Sequence, residues 1–140
     1  MLIKLKKLHP DAKIPQIALA GDAGADLFSV EDKILKPGER HTFVTGIAMK
    51  IPKGYVSLIW DKSGLSQKSG LKTLGGVLDS NYTGEYFVGL VNLGKEDYAI
   101  KKGQKLAQVL FQKVVNPKFK IVDELPKTNR GAGSHGSTGQ

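Results

Sequence analysis

The chain of 140 residues contains no cysteine. Disulfides and thiolate metal sites are therefore excluded. Aromatic residues make up only 7% of the sequence, with one tryptophan, so a core must be mainly aliphatic. No apolar run approaches the roughly 20 residues that a membrane helix needs. The first residues carry no signal-like apolar block. The expectation is a soluble intracellular protein, cytoplasmic by default. Acidic residues are outnumbered 13 to 21 by lysine and arginine, for a net charge of +8. That field favours an anionic partner, either nucleic acid or a phosphorylated small molecule. The lysines are scattered rather than clustered, however, as on a solvated surface. His9 and His41 have no metal-ligand spacing, no Ser-His-Asp arrangement stands out, and no Walker motif is present.

What the chain does have is short alternating segments separated by turn signals. Leu2 to Leu8 alternates apolar residues with lysine. Pro15 to Leu19 is extended, and a glycine-containing turn leads into a strand from Ala25. Pro37-Gly38 and Pro52-Lys-Gly54 bracket a long strand from Thr42 to Ile51, with Gly46 placed as a bulge. Tyr55 to Trp60, Tyr98 to Lys101, Lys105 to Val115 and Phe119 to Val122 read as further strands. The Lys105 strand would put Ala107, Val109 and Phe111 on one face and Leu106, Gln108 and Leu110 on the other. One or two helical turns start near Ser63 and end at Gly70 as the C-terminal cap. Between Gly75 and Asn92 lies a strand, a polar Asp-Ser-Asn turn and a second strand, read as a hairpin. Many short strands with almost no helix indicate an all-β sandwich or barrel. One folded domain is expected over residues 1–125. Residues 126–140, rich in Gly, Ser and Thr, cannot pack a core and are expected to form a mobile tail.

Three stretches offer chemistry. Asp79 sits where the first hairpin arm meets its turn, with Tyr82 three residues on. An acid and a ring therefore share one hairpin end with free backbone groups. Lys62-Ser63-Gly64 joins a cation, a hydroxyl and an unhindered backbone at a helix start, where anions are favoured; simple capping by Ser63 is the commoner event. In the tail, Gly131 to Gly136 satisfies G-x-G-x-x-G but has no strand before it and no room for a helix after it, so it is not a dinucleotide motif. Arg130, His135, Ser137 and Thr138 could instead grip phosphate and cover a base. Asp26 and Asp79 are the acids set in small, glycine-rich surroundings. Two carboxylates cannot cage Mg2+ alone, but that ion leans on substrate phosphates and water.

Five segments, in order and spanning nearly the whole chain, resemble the motifs of the trimeric dUTPases (deoxyuridine triphosphate nucleotidohydrolases). They are Ala23-Gly-Ala-Asp-Leu27, Lys62-Ser-Gly-Leu65, Gly76-Val-Leu-Asp-Ser-Asn-Tyr-Thr-Gly84, Gly103-Gln-Lys-Leu-Ala-Gln-Val-Leu-Phe111 and Arg130-Gly-Ala-Gly-Ser-His-Gly-Ser-Thr-Gly139. The resemblance implies a distorted jelly-roll in a homotrimer, with active sites between subunits and the tail closing over a neighbour's site. It implies hydrolysis of dUTP to dUMP and pyrophosphate, which limits uracil in DNA and supplies dUMP for thymidylate. By similarity, Asp79 activates the water that attacks the α-phosphorus and Tyr82 packs under the deoxyribose. Backbone at Gly76, Val77 and Leu78, and across the hairpin at Phe87, would read uracil. Lys62, Ser63, Gly64, Gln108 and Arg130 would hold phosphates, with His135, Gly136, Ser137 and Thr138 closing from the tail. Mg2+ would be the cofactor, held mainly by substrate phosphates and contacted by Asp26 through water. Positioning and charge neutralisation dominate phosphoryl transfer, so scattered cations, a metal and one base suffice.

Two positions depart from the family pattern. Lys62 stands where arginine is usual and loses the bidentate fork. His135 stands where phenylalanine is frequent, and its protonation could make closure depend on pH. The sister activity, dCTP deamination, needs a carboxylate at the position of Gly89, which cannot supply one. A catalytically dead regulatory trimer is opposed by Asp79 and the intact tail. A nucleic-acid-binding barrel would interleave aromatics with lysines on strands, and no such pattern is present.

Overall fold

Alternating segments of this kind bury one face each, and two such faces close on one another. The computed structural model describes residues 1–133 and contains eleven strands and one helix. Strands β1 (Lys4–Lys7), β5 (Arg40–Lys50), β9 (Glu85–Asn92) and β7 (Leu71–Leu74) form an antiparallel sheet in the order β1-β5-β9-β7. Strands β2 (Gln16–Ile17), β3 (Ala25–Phe28), β11 (Lys105–Lys113), β6 (Tyr55–Trp60) and β8 (Val77–Asp79) form a second, in the order β2-β3-β11-β6-β8. β4 (Lys33–Leu35) and β10 (Tyr98–Ile100) pair separately. The helix α1 (Ser63–Ser69) joins β6 to β7 and ends on Gly70 at φ 70°, where glycine carries no Cβ penalty.

The two sheets share one apolar cluster. Phe43, Ile47, Tyr86 and Val88 from the first meet Leu27, Ile59, Ala107 and Val109 from the second. Each such side chain contributes roughly 1.5–3 kcal/mol when fully buried. Ser57 Oγ and Tyr86 OH lie 2.8 Å apart within this interior and tie β6 to β9, one strand from each sheet. The arrangement is the all-β sandwich expected from the alternation, of the distorted jelly-roll type that the resemblance implies. Gly46 is a bulge, as its sequence context suggests. The β5–β9 register shifts between Val44 and Ala48, and Gly46 has φ 69°. A Cβ there would stand 2.6 Å from that of His9.

The pairing differs from expectation in several places. The stretch from Gly75 to Asn92 is not a hydrogen-bonded hairpin. β8 pairs with β6 in one sheet, while β9 pairs with β5 and β7 in the other. Gly75 and Gly76, at φ 68° and 108°, turn the chain out of β7 and across to the second sheet. β4 and β7 are strands that the sequence pattern did not distinguish from turns. Phe119 to Val122 forms no strand: Phe119 is 93% exposed and Ile121 98%. The last strand ends at Lys113, and residues 114–133 run along exposed. Within β11, Leu106 and Ala107 are both buried, against strict alternation, because a register shift falls between Lys105 and Ala107.

Candidate active site

The cationic end of the candidate site lies where β3, β11 and β6 run side by side. Gln108 is in register with Asp26 on one flank and with Trp60 on the other. The chain then leaves β6 through Asp61 and Lys62. The Asp26 carboxylate is 4% exposed. Lys62 Nζ is paired with its Oδ1, and Lys105 Nζ lies 2.6 Å from its Oδ2. Burial would raise the pKa of Asp26, but the two ammonium groups outweigh it and hold the carboxyl below its usual range. Gln108 Nε2 donates to the Asp61 carbonyl at 2.9 Å. Gly24 makes room for that side chain, since a Cβ there would stand 2.4 Å from Gln108 Oε1. The first and fourth motifs thus shape one another directly.

Asp61 fixes the start of the helix. Its Oδ1 accepts from the Thr73 amide and hydroxyl, each at 2.7 Å, and its Oδ2 from Lys72. Burial pushes its pKa up, yet these bonds together hold it below the ordinary value. Lys62, not Ser63, is the N-cap residue of α1, and no side chain caps the helix. Capping therefore does not explain Ser63, which is exposed together with Gly64.

The acidic end is built on β8. Asp79 is exposed and lines a cleft of about 650 Å3 with Lys50, Lys53, Tyr55, Ser80 and Asn81. The turn closes with the Tyr82 amide donating to the Asp79 carbonyl at 3.0 Å. Lys50 Nζ donates to the Ser80 carbonyl at 2.6 Å and pins the turn from β5. Tyr82 OH donates to the Glu85 carbonyl at 2.8 Å, which folds the ring over Gly84. A Cβ at Gly84 would stand 2.5 Å from that hydroxyl, so the ring position requires glycine. Gly76 packs equally close to β6, where an added Cβ would meet the Ile59 carbonyl at 2.7 Å. β8 is the outermost strand of its sheet, so its far edge has no strand beside it; Val77 and Phe87 are exposed on the two arms.

One chain does not bring these two ends together. Asp79 is in register with Val56, whereas Gln108 and Asp26 are in register with Trp60. Four residues of extended β6 separate the two levels, roughly 13 Å. Arg130 is exposed, and its Nε donates to the Gly133 carbonyl at 3.1 Å. His135, Gly136, Ser137 and Thr138 lie outside the described residues. Among the described residues no three acidic or histidine side chains cluster as a metal site. Asp26, buried and covered by two lysines, does not by itself fit a protein-built Mg2+ site.

The dUTPase family model matches residues 10–139. A deoxyuridine 5'-triphosphate nucleotidohydrolase of Nautilia profundicola is 44% identical over 142 residues, covering all of both chains. The chain belongs to the dUTPase family. Staphylococcus bacteriophage 80alpha dUTPase, solved with dUPNHPP, superposes with a TM-score of 0.93 at 28% identity, covering 99% of each chain. The dUTPase of phage phi11 of S. aureus, a mutant whose structure reveals the coordination of a structural Mg(II) ion, has a TM-score of 0.83 at 28% identity over 89% of this chain and 98% of that one. Against the family pattern, Lys105 and Asp61 are the polar residues that motif reading passed over. Lys105 lies inside the fourth motif, and only the bulge in β11 shows which way it faces. Asp61 precedes the second motif directly, and its partners on β7 are eleven or twelve residues away.

Proposed function

We propose that the protein hydrolyses dUTP to dUMP and pyrophosphate, limiting uracil in DNA and supplying dUMP. The observation that carries this reading is the separation, along the length of β6, of an exposed carboxylate from a cluster of cationic and polar groups. Asp79 stands free at a cleft, while Lys62, Ser63, Gly64 and Gln108 gather roughly 13 Å along β6. The two ends complete one site when they come from different copies. A homotrimer with shared sites supplies both, and residues Arg130 to Thr138 of the tail close over a neighbour. In this reading residues 1–125 form the catalytic body and 126–140 the closing tail.

Asp79 orients a water and takes its proton as the oxygen attacks the α-phosphorus, and the pyrophosphate departs on the opposite side. The cations neutralise charge on the phosphates. Tyr82, locked over Gly84, presents its ring to the deoxyribose and leaves no room for a 2′-hydroxyl. The base lies between the arms, against backbone of Gly76, Val77, Leu78 and Phe87. The splayed arms favour this, because the far edge of β8 keeps its hydrogen-bonding groups free. Mg2+ would be held mainly by the phosphates, with Asp26 reaching it only through water. No helix among the described residues is long and apolar enough to cross a membrane, and the reading places the enzyme in the cytoplasm.

Incubation with dUTP, dCTP, dTTP and UTP in Mg2+ tests this. Pyrophosphate should appear rapidly from dUTP alone. Equal release from UTP, or none from any nucleotide, would exclude the reading. Ammonia release from dCTP would favour the deaminase, which Gly89 disfavours.

A further inference from the structure

Asp26 has two cationic partners, and the phosphate grip accounts for only one of them. Lys105 opposes Phe28 and Ala107 opposes Leu27, so Leu106 is an extra residue in β11 with no partner on β3. Strict alternation would put Lys105 on the face opposite Gln108. The bulge reverses this. Asp26 and Phe28 share a face of β3, and their partners Gln108 and Lys105 share the matching face of β11. Lys105 is thereby aimed at Asp26. The two lysines divide the carboxylate between them, Lys62 on Oδ1 and Lys105 on Oδ2. Both ammonium groups reach solvent, while the carboxylate does not.

We propose that Lys105 is a positioning residue that keeps the charge of Asp26 compensated, so that Lys62 can leave its ion pair and take a phosphate of the incoming nucleotide. This rests on the reading of Lys62 as a phosphate ligand. A buried carboxylate stripped of its last cation is strongly destabilised. Without Lys105, Asp26 therefore holds Lys62 back and competes with the substrate. With Lys105 in place, one ammonium remains when the other moves. Lys105 acts through Asp26 and touches no phosphate itself.

The test uses the full chain with K105M, K105R, and K105M in a D26N background. Affinity for the non-hydrolysable analogue α,β-imido-dUTP is measured by calorimetry in magnesium buffer, beside KM and kcat for dUTP. K105M should weaken analogue binding and raise KM by at least about tenfold, with kcat changed by less than about threefold. K105R should restore both. In the D26N background the effect of K105M should shrink below about threefold, because no buried charge then restrains Lys62. Wild-type affinity in K105M would overturn the proposal. So would an undiminished penalty after Asp26 is neutralised, since Lys105 would then act on the phosphates directly. If K105M does not fold, K105Q against K105R carries the same prediction. A wild-type chain that binds the analogue but does not cleave dUTP would refute the activity and leave the Lys105 measurement intact.

Discussion

In the proposed reaction Asp79 is the base, and one backbone turn sets where that carboxylate stands. The Tyr82 amide bonds its carbonyl and Lys50 pins the next one, so the carboxylate is held at a cleft without being buried. Asp79→Asn keeps shape and volume but cannot accept a proton. We expect turnover of dUTP to fall by about a hundredfold or more, with affinity for the imido analogue changed by less than about threefold. Loss of binding as large as the loss of rate would contradict a role as base. Its place at the turn was legible in the sequence because polar turn chemistry is local. The strictness of Gly24, Gly76 and Gly84 was not. Each faces something distant or folded back, Gln108 Oε1, the Ile59 carbonyl and the Tyr82 hydroxyl, and at Gly76 the neighbour is backbone that cannot move aside. Motif resemblance named the glycines, but only coordinates say what each one clears.

The junction of β6, α1 and β7 shows how a short helix is held. α1 buries no residue fully and has no side-chain cap, so its own stability is slight. Asp61 supplies the missing anchor through Thr73 and Lys72 on β7. Its carboxyl is held below the ordinary value in the fold, so the stability it lends is present above the unfolded carboxylate range and is lost as pH falls through the folded pKa. The thermal midpoint should therefore drop as pH is lowered below about 4. In Asp61→Asn that drop should be shallower, and at neutral pH the variant should be less stable by about 2 kcal/mol. Differential scanning calorimetry between pH 3 and 7 checks both. The helix and its Gly70 terminus were readable from punctuation alone. The division of the expected hairpin between two sheets was not, because alternation fixes which face a strand buries but not which strand lies beside it. Phe119 to Val122 misled for a related reason. Its residues suit a strand, yet nothing in the same chain covers them.

The protein as a whole is legible as an all-β sandwich, but its site is legible only as two halves. If the halves come from different copies, two inactive chains should repair one another. Asp79→Asn lacks the acid and keeps the cations; Lys62→Ala does the reverse. Mixed at equal amounts after unfolding and refolding together, they should recover on the order of a quarter of wild-type activity, because random closed trimers combine the intact halves at that frequency. Mixtures no more active than either parent would place the whole site within one chain. Val115, Phe119, Ile121 and Leu125, all exposed, fit the same picture, since apolar side chains so poorly covered are commonly buried against another surface.

The hydroxyl bridge between Ser57 and Tyr86 has a further implication. Ser57 is in register with Leu78 on β8, and Tyr86 immediately precedes Phe87 on β9. If the base lies between the arms as proposed, the bridge would set their spacing and with it the room left for a 5-methyl group. Tyr86→Phe keeps the ring and removes the spacer. The ratio of dTTP to dUTP turnover should rise several-fold in this variant while the melting temperature falls by only a few degrees, an ordering that would identify substrate choice as a property of how far apart two sheets are held.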